Sequence, residues 1–95
     1  MRYKTKYNIK IRTKPDFDSE QKDFSALSQK LKDISYSIDD KAVINSNQIV
    51  DIKDVVKIDD NVFGKINEST YICLEQDSIK FAVLLRENTN IKNRK

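Results

Sequence analysis

The chain has 95 residues, 38% hydrophobic and 35% charged, which allows one small core under a heavily charged surface and no second domain. Its one Gly and one Pro exclude a glycine-rich phosphate loop and a proline-rich linker, and its one Cys excludes an intramolecular disulfide. The sequence has no His, so the commonest general base and metal ligand is missing, and it has no apolar run long enough to span a bilayer. With no apolar leader core at the N-terminus either, the expectation is a cytoplasmic, non-enzymatic protein with no cofactor and no membrane segment.

The net charge of +3 conceals an asymmetry. Residues 1–14 hold six basic residues and no acid, residues 15–91 hold all fifteen acids against nine basic residues, and Lys92, Arg94 and Lys95 close the chain. Basic ends therefore flank an acidic middle.

In the first segment, Arg2, Lys4, Lys6, Lys10, Arg12 and Lys14 share one parity, with Asn8 filling the gap. Tyr3, Thr5, Tyr7, Ile9, Ile11 and Thr13 share the other. Successive side chains of a strand point to opposite faces, so residues 2–14 predict a half-buried strand, bent or interrupted near Asn8 and ended by Pro15. Its cations span about 40 Å at ~3.3 Å per residue.

The period then changes. Phe24, Leu27, Leu31 and Ile34 fall at helical spacing, Asp18 and Gln21 have the capping-box separation, and Lys30 and Lys32 suit a helix C-terminus. A helix is expected over about residues 19–33. Ser35 to Ile38 reads as a short strand or a loop, Asp39-Asp40 as a turn, Ala42 to Ile44 as a brief strand, and Asn45 to Asn47 as another turn.

Residues 48–75 carry the clearest pattern. Val50, Ile52, Val56 and Ile58 share a parity that is disturbed at Asp54, where a bulge is expected. Asp59-Asp60-Asn61 and Asn67-Glu68-Ser69 are turn chemistry between β-branched runs, so three strands form an antiparallel meander. After a turn at Gln76-Asp77-Ser78, the residues Ile79, Phe81, Val83 and Leu85 predict one buried face of a last strand. A polar tail follows over residues 87–95. The fold class expected is mainly β, a single domain over residues 1–95: a small barrel of five to six short antiparallel strands with one inserted helix.

Two stretches resemble the bacterial Src-homology-3-type domains. Tyr7 to Pro15, YNIKIRTKP, is similar to that family's "LNVRSGP" opening. Phe63-Gly64-Lys65-Ile66 with Thr70 to Leu74 is similar to its "WGKI…GWICL" hairpin, and Gln48 to Lys57 stands where the family has a "KGTxVTV" strand. Phe63 and Tyr71 occupy positions where the family usually has Trp, and the glycine of "RSGP" is absent. The resemblance covers residues 7–15 and 48–75 and implies an SH3-like barrel that binds peptide-like or cell-wall ligands, often in bacterial or phage proteins, with Phe63 and Tyr71 in the ligand groove.

For chemistry the residues offer little. Cys73 lies in an expected strand without a basic neighbour, as a structural thiol does. Asp39-Asp40 and Asp59-Asp60 lack calcium-loop spacing and read as solvated turns. The expected function is a non-enzymatic module of bacterial or phage origin that binds a protein or peptide, as an inhibitor or accessory protein of a larger complex. Its contact residues are Arg2, Lys4, Lys6, Lys10, Arg12, Lys14, Phe63 and Tyr71. The alternative is a nucleic-acid-binding barrel whose basic strand tracks phosphates. If the strand lies on an open edge, it also offers itself to a second copy, with Asp51, Asp59 and Asp60 complementing the cations.

Overall fold

The alternating N-terminal segment is interrupted near Asn8, as expected, and forms two strands. In the computed structural model, which describes residues 1–86, β1 (Arg2–Thr5) and β2 (Ile9–Arg12) are separated by a bend at Lys6 to Asn8 and join different sheets. The remaining strands are β3 (Ser35–Ile38), β4 (Lys41–Ile44), β5 (Ile49–Asp51), β6 (Asp54–Ile58), β7 (Asn61–Asn67), β8 (Thr70–Gln76), β9 (Ile79–Lys80) and β10 (Ala82–Leu84). The fold is mainly β, and the ten strands among the described residues exceed the expected five to six because the long ones bend and divide.

The pairings close a ring. β1 pairs with β5 through Tyr3 and Val50, and with β10 through Tyr3 and Leu84. The chain runs from β5 through Ile52 and Lys53 into β6, which pairs with β7. β7 pairs with β8, β8 with β9, and the chain turns at Phe81 into β10. Every pair is antiparallel. Closure removes sheet edges within the ring. The sharp bend of the 49–58 strand falls at Ile52-Lys53, just before the Asp54 position where a bulge was expected. The register shifts lie instead in β7 and β8, between Val62 and Phe63 and between Lys65 and Asn67.

An arm, residues 6–48, leaves the ring after β1 and returns at β5. Within it β2 lies between β4 and β8, and β3 forms the outer edge of the larger sheet. Neither half of the basic segment is therefore an open edge, so the condition for strand-to-strand pairing with a second copy is not met: β1 is central in its three-stranded sheet and β2 is interior to the larger one. The ends of the larger sheet are β3 and β6.

The expected helix over 19–33 is not continuous. Only a 3₁₀ turn at Phe24–Ala26 and one turn of α-helix, α1 (Gln29–Lys32), are helical. Residues 20–23 are taken up by the sheet: Gln21 bridges Arg12, Asp23 bridges Lys41, Lys22 N–H donates to the Ile11 carbonyl and Ala42 N–H to the Lys22 carbonyl. Asp23, Leu27 and Ser28 are extended, with ψ of 136°, 152° and 159°. Ser and Asp compete with helix by bonding nearby backbone, and they recur through this stretch. Ser28, not Asp18, supplies the cap, its Oγ accepting from Leu31 N–H at 3.4 Å. Phe24, Leu27, Leu31 and Ile34 still point into the core, from different local conformations.

That core joins ring and arm. Ile9, Ile11, Leu27, Leu31, Ala42, Ile44, Val50, Ile52, Ile72, Leu74 and Ala82 form one buried cluster. Full burial of a side chain such as Ile11, Ile44 or Ile72 stabilises by roughly 1.5–3 kcal/mol. At the last strand the chain breaks at Phe81, and Ile79, expected on the buried face, is 57% exposed; Phe81, Val83 and Leu85 are half-buried, while on the other parity Ala82 is buried and Leu84 exposed.

The turns fall where Asp, Asn and Ser cluster. Asp39, Asp40, Asn47, Asp59, Asp77 and Ser78 all have positive φ, between 50° and 70°. Gly64 is used elsewhere: a Cβ on it would lie 2.9 Å from Ile52 Cδ1 and 3.0 Å from Leu74 Cδ1, so these two side chains pack close against the β7 backbone at that point. The expected polar tail, 87–95, lies outside the described residues. Among those described, no helix is long and apolar enough to cross a membrane.

Candidate partner-binding face

Alternation along the larger sheet sends Ile9 and Ile11 inward and Lys10 and Arg12 outward. Opposite Arg12 stands Tyr71, and opposite Tyr71 stands Lys65. Phe63, two residues before Lys65, is paired with Cys73 and with Val56, so the centre of this outward face is apolar. An apolar patch facing water needs cover. The chain supplies it from the strap Lys14 to Ser19.

The strap is a tight turn opened by Pro15. Ser19 Oγ donates to the Asp16 carbonyl at 2.6 Å and Asp18 N–H to Asp16 Oδ1 at 2.8 Å. Thr13 N–H donates to the Glu20 carbonyl at 2.9 Å. Arg12 ties the strap to the sheet, its guanidinium donating to the Ser19 carbonyl at 2.9 Å and lying 5.8 Å from the Phe17 ring centre. The Phe17 ring packs on Phe63 at 5.1 Å between centroids. Phe63, which the resemblance implied in a ligand groove, is 1% exposed and forms the floor under Phe17. Tyr71 is half-buried on the outward face.

Phe17 divides this face into two clefts. The first, about 230 Å³, has Ile9, Cys73 and Phe81 as floor and Asn8, Lys10 and Arg12 as polar wall. Tyr7 stands edge-on to Phe81 at 6.1 Å and is 53% exposed. The polar groups of this cleft present donors. Asn8 Oδ1 is occupied by Ser46 N–H at 2.9 Å, leaving its amide hydrogens, and no carboxylate lines the cleft. Burial pushes the Cys73 thiol up to about 11, so it stays protonated and is no nucleophile at neutral pH.

The second cleft, about 330 Å³, lies between the strap and the β6–β7 turn. Its charged groups are Asp16, Asp18 and Asp59, with no cation among the lining residues. These carboxylates do not converge into a metal-holding group.

A third hollow, about 320 Å³, lies under α1 against Leu31, Ile34, Ile49 and Ile66. Its polar groups other than Lys53 are engaged: Ser28 caps α1, Asn67 Oδ1 accepts from Ser69 N–H, and Lys30 pairs with Asp51 at 2.8 Å. The hydrogen bond and charge of Lys30 hold the Asp51 carboxyl below its ordinary value. This hollow offers little to orient a ligand.

The six cations singled out in the sequence do not form one row. Arg2 and Lys4 face outward on the three-stranded sheet, Arg2 opposite Asp51 and Lys4 opposite Ile49 and Val83. Lys6 lies in the bend, Lys10 and Arg12 border the first cleft, and Lys14 starts the strap. None of the six forms an ion pair among the described residues. Phe17, Asn8 and Phe81 were missed as site residues. The signal for Phe17 was a lone aromatic between two aspartates just after the proline, which has to find an apolar neighbour somewhere. Compared with protein-family models, curated proteins and solved structures, the chain matches none.

Proposed function

We propose that the chain is a non-enzymatic binding module, set in the cytoplasm of a bacterial or phage system, that recognises a protein or peptide partner. The observation that carries this is the first cleft: an apolar and aromatic floor walled by Lys10, Arg12 and the Asn8 amide, with donors and no carboxylate. Such a wall favours a partner segment that combines an apolar side chain with a carboxylate. The ring, in which β1 pairs with β10 and the 49–58 segment divides between the two sheets as β5 and β6, supports the SH3-like reading. An inhibitor or accessory role in a larger complex fits the small, charged chain.

Affinity capture from a bacterial lysate at moderate salt tests the reading, with the wild type beside Lys6→Glu/Lys10→Glu. The expected outcome is a partner retained by the wild type and lost by the variant. Equal retention of the same partner by both would remove this face from the contact.

A second reading, nucleic-acid binding, is favoured by one observation: Arg2, Lys4, Lys6, Lys10 and Lys14 are without acid partners among the described residues. Affinity for an oligonucleotide would then fall steeply with salt, and reversing two of these charges would flatten the slope by about two units. The acidic second cleft on the same face opposes this reading.

A further inference from the structure

The clefts on the two sides of Phe17 carry opposite charge. Lys10 and Arg12 line the one without any carboxylate, and Asp16, Asp18 and Asp59 line the other without any cation. Exposed apolar groups extend the face at both ends, Tyr7 at 53% beside the cationic cleft and Ile58 at 42% beside the acidic one. A face that is positive on one side of a central aromatic and negative on the other is complementary to itself. A two-fold axis lying in the interface, passing Phe17 across the line between the clefts, sets each cationic half against the acidic half of the mate. An acidic peptide would satisfy one half and be repelled by the other, whereas a second copy satisfies both.

We propose that this face is a contact between two copies of the chain, with Lys10 and Arg12 of each protomer facing Asp16, Asp18 and Asp59 of its mate across the paired Phe17 rings. The inference rests on the reading of this face as a contact surface, and it names regulation: self-association covers the first cleft, so a foreign partner competes with the second copy. Lys10 and Asp18 are exposed, and the Asp18 carboxylate makes no hydrogen bond among the described residues, so both tolerate replacement. Asp59 is unsuitable, because its φ of 55° would strain a lysine.

The test is sedimentation velocity from micromolar to millimolar concentration at low salt, with folding checked by circular dichroism. The wild type is expected to show a reversible monomer–dimer equilibrium that weakens as salt rises. Lys10→Glu offsets the charge of Arg12, leaving the cationic half neutral with a carboxylate set against the mate's aspartates, and Asp18→Lys makes the acidic half less negative while adding a cation there. Each variant alone is expected to dimerise at least about tenfold more weakly, as like charges across an interface do. An equimolar mixture of the two is expected to recover association to within about threefold of the wild type. A wild type that stays monomeric at millimolar concentration overturns the proposal. So does a dimer that the single variants leave intact, or a mixture that fails to associate. No foreign partner is present, so a monomeric protein that still captures a partner from lysate would sink this proposal and leave the binding-module reading standing.

Discussion

The ring and the arm of this molecule are held by different means. In the ring, strands as distant in sequence as β1 and β10 are ladder partners, and β7 and β8 run side by side over most of their length. In the arm, regular structure is short and single polar contacts matter. Gln21 Nε2 donates to the Ala42 carbonyl at 3.0 Å, Lys41 pairs with Asp23 at 2.7 Å, and Ser25 Oγ donates to Asp40 at 3.2 Å. The Lys41 pKa is raised by that bond to Asp23, but the group is solvent-exposed and the pair is screened. The ring therefore stands or falls as a unit, while the arm is adjustable piece by piece. The strap that covers Phe63 belongs to the adjustable part.

The sharpest way to break this comparison is at the ring. Phe63→Ala removes a ring that is 1% exposed and should cost about 3–5 kcal/mol in urea unfolding. A cost below about 1 kcal/mol would mean that the strap alone, and not the ring, orders the outward face. Gly64→Ala should cost less, about 1–3 kcal/mol, because the added methyl presses on flexible ends of Ile52 and Leu74. In the arm the effects shrink. Ser28→Ala should cost about 1 kcal/mol by removing the cap of α1, whereas Asp18→Ala, the cap the sequence suggested, should cost under ~0.5 kcal/mol. If the two substitutions reversed in size, the helix would begin where the sequence places it. The smallest effect belongs to the outer cations: Lys4→Glu with Lys6→Glu should leave stability within about 1 kcal/mol by thermal melting.

Legibility followed the same division. The meander from β6 to β8 was readable because its pairings are local hairpins joined by short polar turns, the first with Asp59 at positive φ. The inward parity of Ile9 and Ile11 was readable for the same reason of period two. The 19–33 stretch misled because Phe24, Leu27, Leu31 and Ile34 reach one core from a 3₁₀ turn, an extended link and a single helical turn. Helical spacing records which residues face inward and not the backbone path between them. The hydrogen bonds of Lys22, donating to the Ile11 carbonyl and accepting from Ala42 N–H, decided that path. At the site, Lys10 and Arg12 were visible from alternation, but the partition of charge into two clefts was not. It depends on Phe17 folding back over Phe63 and on Asp59 arriving from a separate hairpin.

The pairing of β1 with β10 also sets an order of events during synthesis. Tyr3 is made near the start of the chain and its partner Leu84 near the end of the described residues, so the ring cannot close while the C-terminal strand is still within the ribosome. Local hairpins such as β3–β4 and β6–β7 are available to form much earlier. Until then the backbone groups on the β10 side of β1 are open to any neighbouring strand, including β1 of another nascent chain on the same message. Closure between such distant segments carries a large loop entropy, which places this barrel among folds that form in milliseconds to seconds and not in microseconds.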